Sequence, residues 1–246
     1  MKIAIVGING VVGGYVYEAA IGRGVEVAYG IDVKDGKELS CPVYKTFDSV
    51  SEKVDAIVDF SYHGAVRSIL DYATEHSVPV VLATTGYTDD ELKLIDDASK
   101  KIAIFRSGNM SIGINLLIKL VKEGAKALGK SADVEIIEMH HNRKLDAPSG
   151  TAIMLADAVK SERAELVNKY GRSGQDKRNP EDLTIHSVRG GTVVGVHEVL
   201  FALDNEVVSL KHTAENRRIF AEGALDAAAY LLNKPCGKYD MQDMLK

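Results

Sequence analysis

The sequence predicts an α/β chain built in two parts: a doubly wound parallel sheet and an α+β part with a mixed, largely antiparallel sheet. Three observations predict it. Short apolar runs at 2–6, 25–31, 55–60, 80–82 and 102–105 alternate with helical stretches, the rhythm of strand–helix–strand units. After residue 109 the rhythm breaks, and three strand-like runs follow in succession at 184–188, 192–201 and 206–211. A long alanine-rich helix at 217–232 then closes the chain, and it is expected to return to the first part. The expected division is therefore 1–109 plus 212–246 for one domain and 110–211 for the other.

Each element has a local reason. Residues 2–6 are apolar without alternation, as in a parallel strand buried on both faces. A glycine loop and a helix over 14–22 follow, then a strand ending before Asp32. Ala65, Val66, Ile69, Leu70 and Ala73 lie at helical spacing. Pro79 precedes the run at 80–82, where a strand's first residue tolerates the missing donor. Thr88 is the expected N-cap of a helix over 89–100. In the second part, Leu116, Leu117, Leu120, Val121 and Ala125 mark one face of a helix over 115–128. A strand over 134–139 leads to two histidines, and a helix is expected over 152–159. Residues 171–181 are polar and read as a loop.

The bulk numbers exclude several classes. At 246 residues with 46% hydrophobic and 26% charged positions, the chain is an ordinary globular one. A net charge of −5 argues against a general nucleic-acid binder, so an anionic ligand needs a local basic site. Cys41 and Cys236 stand in no paired motif and read as reduced thiols. No apolar run approaches the length needed to span a membrane, and the first residues lack the pattern of a signal peptide. A cytoplasmic home is expected.

Gly7-Ile8-Asn9-Gly10-Val11-Val12-Gly13 follows a strand and opens a helix. Such a loop makes a tight turn whose backbone lets phosphates approach a helix N-terminus. Asp32, at the end of the second strand, is the acidic residue expected on a ribose hydroxyl. The pattern predicts a Rossmann-like dinucleotide domain; the plainer alternative is a similar sheet with a glycine turn and no nucleotide. A carboxylate at 32 repels a ribose 2′-phosphate, whereas Lys34 nearby offsets it, so both NADH and NADPH stay open.

The densest chemistry lies in Glu138-Met139-His140-His141-Asn142-Arg143-Lys144-Leu145-Asp146-Ala147-Pro148-Ser149-Gly150-Thr151-Ala152. His140 and His141 are adjacent in an extended segment, so they point to opposite sides and have different roles. An imidazole is a good general acid or base near neutrality. Lys144 can donate a proton or meet a carboxylate. Ser149-Gly150-Thr151 starts a helix, and its hydroxyls and backbone N–H groups make an anion pocket. Zinc is the competing reading, but His186, His197 and His212 are scattered without ligand spacing, so no metal is expected.

With these motifs together, the chain resembles the dihydrodipicolinate reductase family, the 4-hydroxy-tetrahydrodipicolinate reductases of the lysine and diaminopimelate pathway. The resemblance runs nearly end to end. It rests on the 135–152 segment, the glycine loop, Asp59-Phe60-Ser61, Thr84-Thr85-Gly86, 109–115, Arg189-Gly190, 195–198, His212, Arg217, 220–224 and the tail 239–245. It implies that His140 is the general acid/base and that Lys144 donates a proton and contacts a substrate carboxylate. His141, Ser149, Gly150 and Thr151 would hold a small dicarboxylate. Gly7, Ile8, Asn9, Gly10, Val11, Val12, Gly13, Asp32, Ala83, Thr84, Thr85, Ser107, Gly108, Asn109 and Met110 would line NADH or NADPH. It also implies a homotetramer assembled through the sheet of the substrate domain. The chain departs from the family's pattern at Val11-Val12, often Arg-Met, at Ala83, commonly glycine, and at His63, usually proline. The other readings are a different two-domain NAD(P) dehydrogenase and a non-catalytic sensor of NAD and a dicarboxylate.

Overall fold

A computed structural model describes residues 1–36 and 38–246. The chain divides into two compact units, Met1–Ser111 with Arg217–Lys246, and Ile112–Asn216. The boundaries expected at 109/110 and 211/212 fall a few residues later. Met110 is buried in the first unit's core, and the strand carrying His212 runs on to Ala214.

The elements of the chain in order are β1 (Lys2–Val6), α1 (Val11–Gly22), β2 (Glu26–Ile31), β3 (Val43–Tyr44), β4 (Ala56–Asp59), α2 (Val66–His76), β5 (Val80–Leu82), α3 (Asp89–Ala98), β6 (Ala103–Arg106), α4 (Ile112–Leu128), β7 (Asp133–His140), α5 (Gly150–Lys160), β8 (Val167–Tyr170), β9 (Asp182–Arg189), β10 (Gly195–Ala202), β11 (Val207–Ala214), α6 (Arg218–Leu231), β12 (Gly237–Tyr239) and α7 (Met241–Met244). In the first unit seven parallel strands run in the order β12-β6-β5-β4-β1-β2-β3. Alternate residues of β1 serve opposite faces. Ile3 and Ile5 join Val16, Ala20, Ala224 and Leu225 of α1 and α6, whereas Ala4 and Val6 join Ile69, Leu70 and Ile95 of α2 and α3. Both faces are covered, which accounts for strands that read as continuous apolar runs.

Thr88 caps α3 as expected, in a full capping box with Glu91. His63, the departure from the family's proline, spends its Nδ1 on the same Glu91 carboxylate at 2.9 Å. The short edge strands β3, β8 and β12 were not legible in sequence, because two to four partly polar residues carry no periodicity.

The second unit is a five-stranded sheet ordered β11-β10-β7-β9-β8. The three runs after residue 181 were expected to pair antiparallel, and here the structure differs. β10 pairs antiparallel with β11 and β7, but β9 lies parallel to β7 and β8, so the sheet is mixed in equal parts. The physical reason is the route of the chain: β7, β8 and β9 are joined by α5 and a long polar loop, connections long enough to return each strand in the same direction. One face packs α4 and α5 around Leu117, Val121, Leu155 and Val159. Among the described residues no helix is long and apolar enough to cross a membrane.

Candidate active site

The glycine loop is built by steric necessity. Gly7 has φ +79°, and a Cβ there would lie 2.6 Å from the Phe60 carbonyl oxygen; one at Gly13 would lie 2.0 Å from the Gly7 oxygen. The loop turns tightly into α1, whose N-cap is Gly10, with no side-chain cap and no acidic residue in its first turn. That leaves a positive helix end without an internal anion, the feature a pyrophosphate requires. The cradle therefore fits a dinucleotide. A cavity of about 990 Å³ opens here, lined by Gly7, Gly10, Asp32, Phe60, Ser61 and Tyr62 among others.

Asp32 is held in place from two sides: Oδ2 accepts the Asn9 N–H at 2.9 Å and Oδ1 the Lys34 N–H at 2.9 Å. About half of a carboxylate's acceptor capacity remains for a ribose. Asn9 also donates its side-chain amide to the Lys34 carbonyl, so it ties the glycine loop to the loop after β2. Ile8 and Met110 differ from a simple lining role: both side chains are buried in the core, leaving only their backbones available. Val11 is exposed, and Ala83, Thr84 and Thr85 follow the end of β5. The Ser107 hydroxyl donates to the Asn109 carbonyl just past β6, and Asn109 and Ser107 are buried. The 83–85 and 107–110 segments, Gly108 included, are outside the lining of the 990 Å³ cavity.

In the second unit the covered sheet face changes character row by row. Phe201, Val134 and Leu183 form one row across β10, β7 and β9, and Val199, Ile136 and Ile185 the next. The rows then turn polar: His197, Glu138 and Ser187, followed by the row of His140 and Arg189. Glu138 is fully buried and His140 nearly so. Glu138 Oε2 accepts from His140 Nδ1 at 2.6 Å, and Arg189 clamps both carboxylate oxygens at 2.9 and 2.7 Å. Burial alone would raise the Glu138 pKa; hydrogen bonds from His140, Arg189 and Ser187 and the His140 charge outweigh it and hold it down to about 2. With a carboxylate on Nδ1, Nε2 is the His140 nitrogen left to meet a further partner. A Cβ at Gly195 would sit 3.2 Å from that Nε2, so glycine keeps the approach clear.

Ser149 caps α5. Its Oγ accepts the Ala152 N–H and pairs with His197 Nε2 at 3.0 Å, while its own N–H donates to Glu138 Oε1. Ser149 is buried, so Gly150 and Thr151 are the more accessible members of the helix start. The Ala147–Pro148 bond before it is cis. His197 is pushed down to about 4, first by burial and then by repulsion from His140, so it is neutral at pH 7. Lys144 Nζ pairs with Asp146 at 2.8 Å, and the Asp146 carbonyl accepts from Arg189. The structure thus gathers His140 and Ser149 on Glu138, and links Lys144 to them through Asp146 and Arg189. His141 lies just past the end of β7, half-buried.

Glu138, Arg189 and His197 had no assigned role in the sequence reading. Glu138 carried a signal: it falls in phase with Val134 and Ile136, a charge in the buried phase of a strand. Arg189 and His197 arrive only through strand register, which local sequence does not show. The histidines of the zinc reading part company here, since His186 pairs with Glu135 while His197 bonds Ser149.

Comparison with known proteins follows the same lines. Residues 1–110 match the family described as dihydrodipicolinate reductase, N-terminus, and residues 113–245 its C-terminus. A 4-hydroxy-tetrahydrodipicolinate reductase of Caldanaerobacter subterraneus subsp. tengcongensis is 47% identical over 100% of this chain and 98% of its own length. One from Clostridium tetani is 44% identical over 100% of this chain and 97% of its own. Among solved structures, the dipicolinate-bound dihydrodipicolinate reductase of Paenisporosarcina sp. TG-14 superposes with a TM-score of 0.82 at 24% identity, over 100% of this chain and 99% of that one. An aspartate dehydrogenase of Thermotoga maritima shares the fold more loosely, with a TM-score of 0.56 at 14% identity over 96% of this chain and 98% of that one. The fold alone is thus common to several dehydrogenases, whereas full-length identity and both halves of the family pattern point one way: this chain belongs to the dihydrodipicolinate reductase family.

Proposed function

We propose that the chain reduces 4-hydroxy-tetrahydrodipicolinate to tetrahydrodipicolinate, a step of lysine and diaminopimelate synthesis. Overall a hydride and a proton enter and the 4-hydroxyl leaves as water. The observation that carries this reading is the Arg189–Glu138–His140 array, buried at Glu138 and His140 and half-buried at Arg189, beside the N-terminus of α5, in a chain of this family. A bound NADH or NADPH supplies the hydride.

The chain's own groups do the rest. One carboxylate of the cyclic imine binds at the start of α5, on Gly150 and Thr151, with Ser149 beneath them. The other draws Lys144 away from Asp146, exchanging one carboxylate partner for another. His141 adds a contact from the end of β7. Negative charge building on the ring after hydride addition is met by a proton from Lys144 or from His140 Nε2, whose Nδ1 is fixed by Glu138. Holding the ring at both carboxylates is positioning of the kind that lowers a barrier by several kcal/mol. Asp32 binds the adenosine ribose hydroxyls and opposes a 2′-phosphate, Lys34 in the same cavity offsets that opposition, and the reductant is NADH or NADPH. The functional unit is a homotetramer assembled through the open face of the five-stranded sheet.

The test is oxidation of NADH and of NADPH, with substrate generated in place by dihydrodipicolinate synthase from pyruvate and aspartate semialdehyde. Rapid oxidation that depends on the synthase supports the proposal. No oxidation by protein shown to bind the cofactors rejects it and favours the sensor reading.

A further inference from the structure

Asp59 is the last residue of β4 and is 1% exposed. Its register partners are Val6 on β1 and Leu82 on β5, so it stands at the centre of the edge where an open parallel sheet receives ligands. Its Oδ1 accepts both the backbone N–H and the hydroxyl of Ser61. The backbone of Phe60 and Ser61 is the surface against which Gly7 closes, within 2.9 Å of where a Gly7 Cβ would be. On the other side, Asp59 Oδ2, the Thr84 hydroxyl and the Tyr87 hydroxyl are buried together, near enough to interact but not aligned in a well-formed bond. The Tyr87 ring in turn faces the Arg106 guanidinium, 5.6 Å away at the end of β6.

We propose that Asp59 is a positioning residue for the dinucleotide site, one buried carboxylate that sets the loops following β1, β4 and β5 against one another. The proposal rests on the dinucleotide reading above. Two donors bond the carboxyl, the Ser61 N–H and hydroxyl, and the Thr84 and Tyr87 hydroxyls face its other oxygen, within the roughly four acceptor sites the group offers when ionised; burial pushes its pKa up and these groups oppose that. The sheet itself has no need of a charge here: the backbone bonds from Phe60 to Val6 and from Ala83 to Asp59 close it. A buried ionisable group costs free energy against an apolar residue of similar size, so its use lies in the geometry it specifies. The Ser61 side is drawn tight and the Thr84 side is slack, which leaves the 84–87 loop the one that adjusts.

The experiment measures NADH affinity by fluorescence titration, thermal melting, and kcat and KM for NADH, in wild type, Asp59→Asn, Tyr87→Phe, Thr84→Val and the double variant Asp59→Asn with Thr84→Val. Asparagine keeps the shape but turns an amide donor toward the slack hydroxyls. NADH affinity is expected to fall about tenfold in Asp59→Asn, with KM rising in step and kcat changing far less. Thr84→Val is expected to cost less in the Asp59→Asn background than alone, the mark of coupled residues. Asp59→Asn with wild-type NADH affinity overturns the proposal, whatever its melting point. If that variant does not fold, Tyr87→Phe decides: weakened NADH binding at an unchanged melting point supports the proposal and unchanged binding rejects it. Wild type that binds neither NADH nor NADPH removes the dinucleotide reading and this one with it, whereas wild type that binds beside unaffected variants removes this one alone.

Discussion

Lys144 and Glu138 show how differently two charges are used. Glu138 is sealed in the sheet and stays charged down to about pH 2, held by Arg189 and His140; breaking such a pair leaves an uncompensated ion that costs several kcal/mol. Lys144 is 22% exposed and held by one partly exposed aspartate, an exchangeable pairing of small net energy. An exchangeable cation suits the role proposed for Lys144, meeting a substrate carboxylate and parting with a proton. Lys144→Ala is therefore expected to lower kcat by roughly 10² or more, the scale of general-acid loss, with NADH affinity unchanged. Near-normal turnover in that variant removes Lys144 from the chemistry. Asp32 is a second residue-scale case: its carboxylate is fixed by two backbone N–H groups before any ligand arrives. Asp32→Ala is expected to weaken NADH more than NADPH, because it removes a hydroxyl acceptor from one and a repulsion from the other. Equal weakening in paired titrations rejects the ribose role.

At the scale of elements, β7 explains both what was legible and what was not. Its burial alternates from Val134 to His140, but the sequence breaks phase at Ile137 and Glu138, so the strand was legible and its charged buried position was obscured; the helix after it is announced by Ser149, an N-cap whose hydroxyl accepts the Ala152 N–H. The glycine loop was legible for a steric reason, since only glycine fits at Gly7 and Gly13. The direction of β9 was not, because alternation gives a strand its faces but not its neighbours. For the same reason His197 looked like one scattered histidine until β10 placed it opposite Glu138. That placement has a consequence for acid stability. A histidine held at about 4 in the fold, against its usual 6.5, binds its proton more readily when unfolded. Stability is then full above about 6.5 and is lost as pH falls from there toward 4; Glu138, held at about 2, adds a second loss from about 4.5 downward. His197 is expected to contribute a loss on the order of 2 kcal/mol to urea unfolding between pH 7 and pH 5, which His197→Gln removes, while His212, also pushed down by burial, leaves a smaller residual slope. An identical pH dependence in wild type and variant refutes the assignment to His197.

At the scale of the molecule, the second unit leaves a question that its own packing raises. One face of its sheet carries α4 and α5, while the other presents Val188, Met139 and Val196 in one row and Ile137 in the next. Val188 is 41% exposed and Val207, further along the same face, is 60% exposed. Around them stand paired charges, Glu135 with His186 and Arg178, and Glu198 with Lys211. An apolar centre ringed by polar groups is the make-up of an interface that forms between folded chains. A closed assembly with two-fold symmetry sets the same patch of each subunit against its copy, so a single introduced charge meets itself and repels. Wild type is expected to sediment at four chain masses, and Ile137→Glu at a lower mass with the helical circular dichroism of the wild type. A wild type that sediments as a monomer at micromolar concentration overturns the tetramer. A tetramer that survives Ile137→Glu unchanged shows instead that the chains meet elsewhere than on this face of the sheet.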